Sequence, residues 1–144
     1  MKIAIGSDHA GLGLKNAIKE RLESLGHEVV DFGTKTPDRT DYPDYAHLVG
    51  KAVASGAADK GVLVCASGIG MCIAANKVPG VRAALPYNED TARLARAHND
   101  TNVVCFGDKT QDHALVLRML DIWLETPFDG GRHAPRVEKL EDLD

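Results

Sequence analysis

The chain has 144 residues, of which 44% are hydrophobic and 26% charged, the make-up of one ordinary globular domain rather than of a disordered or fibrous chain. A formal net charge of −4 gives no bulk reason to expect nucleic acid, so an anionic substrate needs a local cationic site. No apolar run approaches the ~20 residues that cross a bilayer. The N-terminus lacks a signal-peptide pattern, and three cysteines without CxxC pairing argue against a disulfide framework or a zinc site. The expectation is a cytoplasmic protein with free thiols, no metal and no cofactor.

In chain order, Lys2–Gly6 reads as a buried strand. It runs into Gly6-Ser7-Asp8-His9-Ala10-Gly11, where an acid and a histidine stand side by side at the strand's carboxyl end. Such a pair can move protons or hold sugar hydroxyls; alternatively Asp8 only caps the next helix. That helix spans about Leu12 to Leu25, with Leu14, Ile18, Leu22 and Leu25 on one face and Gly26 as its stop. A strand at His27–Phe32 and a helix over Tyr45–Ser55 follow.

The next strand, Gly61–Cys65, opens into Cys65-Ala66-Ser67-Gly68-Ile69-Gly70 and then a helix over Gly70–Lys77. The glycines allow close approach of a ligand, and a helix N-terminus favours negative charge. This turn matches neither the dinucleotide fingerprint nor a nucleotide P-loop. Cys65 at the strand's end is therefore its distinctive feature, since a helix N-terminus favours a thiolate that can act as base or nucleophile. A small buried thiol is the plainer reading, and it suits Cys72 and Cys105 better than Cys65.

A strand at Val81–Leu85 and a helix over Asp90–His98 end in His98-Asn99-Asp100. A helix C-terminus favours protonated imidazole, so His98 suits an acid, or else a simple C-cap. Strand Asn102–Phe106 and helix His113–Glu125 complete the alternation. Beyond Thr126 a breaker cluster leads into Gly131-Arg132-His133-Ala134-Pro135-Arg136. Pro135 reads as a first-turn residue, which puts Arg132 and Arg136 near the positive end of a short helix. A bound anion would offset that placement, and guanidinium suits phosphate.

The β-α alternation predicts an α/β, Rossmann-like fold: a doubly wound, five-stranded parallel sheet with helices on both faces and a C-terminal arm. Residues 1–126 form the α/β unit and 127–144 the arm of the same domain. Ligands in such sheets bind beyond the carboxyl ends of the strands.

Six stretches together resemble the type B ribose-5-phosphate isomerases, within a wider family that includes galactose-6-phosphate isomerase subunits. They are Gly6-Ser7-Asp8-His9, Arg39-Thr40-Asp41-Tyr42-Pro43, Cys65-Ala66-Ser67-Gly68-Ile69-Gly70, Ala74-Ala75-Asn76-Lys77, His98-Asn99-Asp100-Thr101-Asn102-Val103 and Gly130-Gly131-Arg132-His133. The resemblance implies interconversion of D-ribose 5-phosphate and D-ribulose 5-phosphate, a pentose phosphate pathway step, through an enediolate. It implies Cys65 as the base, with Ser67 and the backbone of Ala66, Gly68, Ile69 and Gly70 holding the enediolate oxygens. It further implies His98 as the ring-opening acid with Asp8 nearby, Asn99 on the sugar, and His9, Arg132, Arg136 and Lys109 at the phosphate. Ser7 and Ser67 depart from residues common in the family, cysteine and threonine. A branch that uses a glutamate in the next helix is not matched, because Met71 and Cys72 stand there.

Cys65 and Asp8 follow strands, whereas His98 precedes one, which places them at opposite edges of the sheet, roughly 15–20 Å apart, about one strand length. A shared substrate therefore implies a homodimer with composite sites, and the sequence leaves open whether dimers pair into tetramers. The competing readings are an isomerase of allose 6-phosphate or galactose 6-phosphate and a non-catalytic module that binds a phosphorylated metabolite. A flavodoxin-like carrier is disfavoured by the 5% aromatic content.

Overall fold

A computed structural model describes residues 1–143; Asp144, the last residue of the expected arm, lies outside the described residues. Strands β1 (Lys2–Ser7), β2 (Glu28–Asp31), β3 (Lys60–Cys65), β4 (Ala83–Ala84) and β5 (Val103–Gly107) form one parallel sheet in the order β2-β1-β3-β5-β4. Around it lie helices α1 (Leu12–Ser24), α2 (Tyr42–Ala54), α3 (Ile69–Asn76), α4 (Glu89–Ala97), α5 (His113–Glu125) and α6 (Ala134–Glu141). Short 3-10 turns at His9–Gly11 and Gly131–His133 precede α1 and α6.

The strands are apolar on both sides, and alternate residues enter two cores. Ile3, Ile5, Val62, Val64, Val104 and Phe106 pack against α1, α4 and α5, where Trp123 is fully buried. Ala4, Leu63, Cys65, Val103 and Cys105 pack against α2 and α3. This burial on both faces is what an all-parallel sheet requires.

Local chemistry fixes the element ends. At the end of α1, Gly26 has φ +87°, the Gly26 N–H donates to the Glu23 carbonyl, and the His27 N–H donates to Leu22. That double closure is the Schellman motif, for which the left-handed residue is normally glycine. Helix α2 begins at Tyr42, three residues before its expected start, because Pro43 occupies its first turn. Strand β4 is shorter than the expected Val81–Leu85. The Arg82 N–H turns away to the Asn102 side chain (2.8 Å), and Pro86 has no N–H to extend an edge ladder.

Two buried cations tie loops down. Lys15, 1% exposed, reaches from α1 to Asp31 (2.8 Å) and to the Thr34 carbonyl, fixing the loop that leads to α2. Arg96 bonds Asp100 and the Thr101 and Thr126 carbonyls, which shapes the turn after α4. The chain leaves β1 toward β2 on one side and crosses to β3 on the other. The crevice beyond the carboxyl ends of β1 and β3 is thus the topological switch point of the sheet.

Candidate active site

The switch point is occupied by the two loops singled out in the sequence. Cys65, the last residue of β3, is 5% exposed, and its Sγ accepts the Gly68 N–H at 3.2 Å. Gly68 makes that bond from a left-handed backbone (φ +78°, ψ −13°) as the cap of α3. A Cβ there would fall 2.7 Å from the Leu85 Cδ1 and 2.9 Å from the Phe106 carbonyl carbon. The donor aimed at the sulfur therefore depends on glycine at this position. The Ile69 N–H donates to the Ser67 Oγ (3.3 Å), so Ser67 turns back on its own loop. Loop donors are divided between the sulfur and the serine hydroxyl rather than all facing one ligand.

Next to it, the Asp8 carboxylate is largely buried, and its Oδ1 accepts the Ala10 N–H (3.0 Å) and the Gly11 N–H (3.1 Å). The capping reading of Asp8 is thus fulfilled by one oxygen. The His9 Nδ1 accepts the Thr40 N–H (3.2 Å), which places the ring proton of a neutral His9 on Nε2. The Tyr42 ring lies across Gly70, where a Cβ would come 2.6 Å from its Cζ. The Arg39–Tyr42 segment therefore bridges both loops, a contact that sequence spacing did not reveal. Lys109 is exposed, and its N–H donates to the Ala66 carbonyl (2.9 Å), which seats the loop after β5 beside the cysteine loop.

His98, Asn99, Arg132 and Arg136 lie elsewhere. His98 caps the C-terminus of α4, upstream of β5 and hence at the amino edge of the sheet. The Asp129 N–H donates to the Ala97 carbonyl (2.9 Å), and Arg82 pairs with Glu141 (2.9 Å), docking the arm at this same edge. Arg132 and Arg136 are exposed on the arm, and among the described residues neither is in an ion pair. Asn99 is exposed and borders an open cavity of about 700 Å³ between β4, α4 and α6. A single chain thus brings together Cys65, Ser67, Asp8, His9 and Lys109 at one edge, and His98, Asn99 and the two arginines at the other.

Sequence reasoning missed the surroundings of His98. Its ring stacks on His133, with centroids 4.1 Å apart and planes 14° from parallel, and its Nε2 lies 4.0 Å from the Asp129 Oδ2. Burial lowers the pKa of His133, and His98, Arg132 and Arg136 add to that effect against the opposing Asp129. A nearby Gly130-Gly131 turn was the only sequence sign that the arm folds back this way. Ligand atoms of His98, Asp129 and His133 lie within 4.8 Å of one another. The near-parallel rings, however, carry their lone pairs side by side, and both must pivot before they could share an ion.

The other thiols are not equivalent to each other. Cys105 is fully buried, and its hydrogen bond to Cys72, with burial, pushes its pKa well up. Cys72 is half-buried and sits at about 7, held down by hydrogen bonds from Cys105 and then Asn76 against the effect of burial. The buried-thiol expectation holds for Cys105 and only partly for Cys72.

A family model described as Ribose/Galactose Isomerase matches residues 3–140. Ribose-5-phosphate isomerase B of Escherichia coli is 46% identical over 143 residues, covering 99% of this chain and 96% of that protein. The structure of Clostridium thermocellum ribose-5-phosphate isomerase B superposes with a TM-score of 0.98 at 48% identity, covering 99% of this chain and 97% of that one. That of the Mycoplasma genitalium enzyme, with bound ribulose-5-phosphate, gives a TM-score of 0.94 at 43% identity, covering 97% and 93%.

Proposed function

The chain belongs to the ribose/galactose isomerase family, and from that premise we propose that it interconverts D-ribose 5-phosphate and D-ribulose 5-phosphate with Cys65 as the base. One observation carries the reading most directly: the Cys65 sulfur at the carboxyl end of β3, with a loop N–H aimed at it from the first turn of a helix. That geometry sets the sulfur beside the helix end, within reach of a substrate bound over the loop.

In this reading ribose 5-phosphate binds as the furanose. His98 gives a proton to the ring oxygen as the C1–O bond breaks, and the 1-hydroxyl releases its proton to solvent to leave the open-chain aldehyde. The thiolate of Cys65 then takes the proton from C2 and returns it to C1 while the proton of the C2 hydroxyl passes to O1, so that the aldehyde becomes the hydroxymethyl carbon and C2 the ketone. The negative charge of the enediolate is met by the Ser67 hydroxyl and by first-turn N–H groups of α3 that have no partner within the helix. Asp8 uses Oδ1 as a cap and keeps Oδ2 for a sugar hydroxyl, and Asn99 contacts the sugar. His9, through Nε2, joins Arg132, Arg136 and Lys109 around the phosphate, which spends remote binding energy at the reacting carbons. Every step uses side-chain and backbone groups of the protein itself, and no cofactor is assigned.

The division of these residues between two sheet edges supports a homodimer in which each site takes Cys65 from one subunit and His98 with the arginines from the other. The exposed Ile69, Ile73, Tyr87 and Leu140, together with the apolar-sided cavity along the edge strand β4, give a second copy a surface to cover. We place the enzyme in the cytoplasm as a member of the pentose phosphate pathway, in keeping with the absence of any helix long and apolar enough to cross a membrane among the described residues. The arm, 127–144, belongs to the same domain as 1–126.

The test is turnover of ribose 5-phosphate by wild type and Cys65→Ala with EDTA present, alongside calorimetric binding of the same sugar. The expected result is metal-independent turnover that falls by at least ~10²–10⁴-fold in the variant while binding persists. Full activity in Cys65→Ala would overturn the assignment of the base. A wild type inert on ribose 5-phosphate but active on a six-carbon phosphate would overturn the substrate.

A further inference from the structure

We propose that His133 is a positioning residue for His98: stacked on it, His133 fixes the direction in which His98 presents its proton for opening the sugar ring. This rests on the isomerase reading above and adds to it a residue that touches neither the sugar nor the phosphate. His98 is a helix C-cap whose backbone N–H is held by the Leu94 carbonyl (2.9 Å), but its side chain, 37% exposed, extends beyond the helix end. Left alone, such a ring can exchange among several staggered rotamers. Two contacts restrict it. The His133 ring lies flat against one face at 4.1 Å, and the Asp129 carboxylate stands 4.0 Å from Nε2.

His133 can do this because it is itself buried. It is 9% exposed, and its N–H closes the tight turn onto the Gly130 carbonyl (3.0 Å). The charged groups facing it are His98 at the end of α4, Asp129 before the turn, and Arg132 and Arg136 on the arm. Burial first, and then His98, Arg132 and Arg136, lower the pKa of His133, against the opposing Asp129. The same turn sets Arg132 immediately before His133, so the phosphate-binding cation and the ring stacked on His98 share one short turn.

Arm docking does not depend on the His133 side chain, because the Asp129 N–H to Ala97 bond and the Arg82–Glu141 pair hold it independently. The decisive experiment compares wild type, His133→Ala and His133→Phe in three assays. These are turnover of ribose 5-phosphate, exchange of the ribulose 5-phosphate C1 proton with D₂O followed by proton NMR, and competitive inhibition by inorganic phosphate. Ribulose 5-phosphate has no 5-hydroxyl with which to close a furanose, so its C1 exchange needs the Cys65 base but no ring opening. His133→Ala is expected to lose turnover by on the order of tenfold to a hundredfold, the scale of a misdirected catalytic group. Exchange and phosphate inhibition should stay within about twofold of wild type. His133→Phe, which keeps a flat ring in the stack, should recover most of the lost turnover.

Undiminished turnover in His133→Ala would overturn the proposal. So would a parallel fall of turnover, exchange and phosphate inhibition, which marks a general collapse of the arm. Failure of His133→Phe to recover activity would show that the imidazole nitrogens matter rather than the stack, and would also overturn it. A wild type without turnover of ribose 5-phosphate would instead defeat the isomerase reading, and this inference with it.

Discussion

At Gly68 the backbone does two jobs that no other residue type can combine. It adopts φ +78° and leaves no Cβ against Leu85 and Phe106, and from that conformation its N–H meets the Cys65 sulfur. Gly68→Ala is accordingly expected to destabilise the fold by about 1–3 kcal/mol, the cost of a strained left-handed residue before the clash is counted. Turnover should fall further than stability accounts for, because the donor to the thiolate is displaced. Thermal melting and steady-state turnover on the same preparation check both. A variant with normal melting and full activity would mean the N–H is not needed. Single residues were the scale at which the sequence was least decisive. Asp8 next to His9 is compatible with capping and with substrate binding, and the capping bonds to Oδ1 decide only half of that choice. The stack of His133 on His98 joins residues 35 positions apart through the fold of the arm, and no spacing rule reaches that far.

Among the elements, the alternation of apolar strands and amphipathic helices was legible almost throughout, since a sheet buried on both faces leaves continuous Val, Ile and Ala runs. Helix α5 has the expected bounds, His113–Glu125, and α6 carries Pro135 in its first turn as its sequence implies. The misses came where a side chain redirects the backbone. Asn102 captures the N–H of Arg82 and shortens β4, and Pro43 starts α2 early. Buried Lys15 was not recognised either, because a lysine on an α1 face reads as solvated until Asp31 is seen opposite it. The pair is a load on the protein as well as a tie, because both charges are taken out of water. Lys15→Ala leaves Asp31 with the Gly33 N–H (2.8 Å) and the more exposed Lys19 (4.0 Å), so it should cost about 3 kcal/mol, the low end of the range for breaking a buried pair. Chemical denaturation measures this, and a loss below about 1 kcal/mol would place the pair with ordinary surface bridges. Through Thr34 the same lysine steadies the segment that carries Thr40 and Tyr42 over the site, so the variant should also raise KM.

For the molecule as a whole, the topology separates the machinery. Strand-following loops put Cys65, Asp8 and His9 at the carboxyl edge, and the helix-to-strand turn puts His98 at the amino edge with the docked arm. That separation was readable from element order alone, because in a parallel sheet every β-to-α loop lies at one edge and every α-to-β loop at the other. The docking of the arm on its own chain was not readable, since it depends on the Ala97 carbonyl and on Arg82 far away in sequence. The central claim is that two chains are needed to make one site, and co-expression of two inactive variants tests it. Cys65→Ala and His98→Asn should each be inert alone. Mixed at equal amounts, half the dimers pair one of each, and every such dimer holds one site with both residues intact, so about a quarter of wild-type activity should return. No recovery from a mixture in which mixed dimers are verified by mass, with the wild type active, would contradict the composite site and return both residues to one chain.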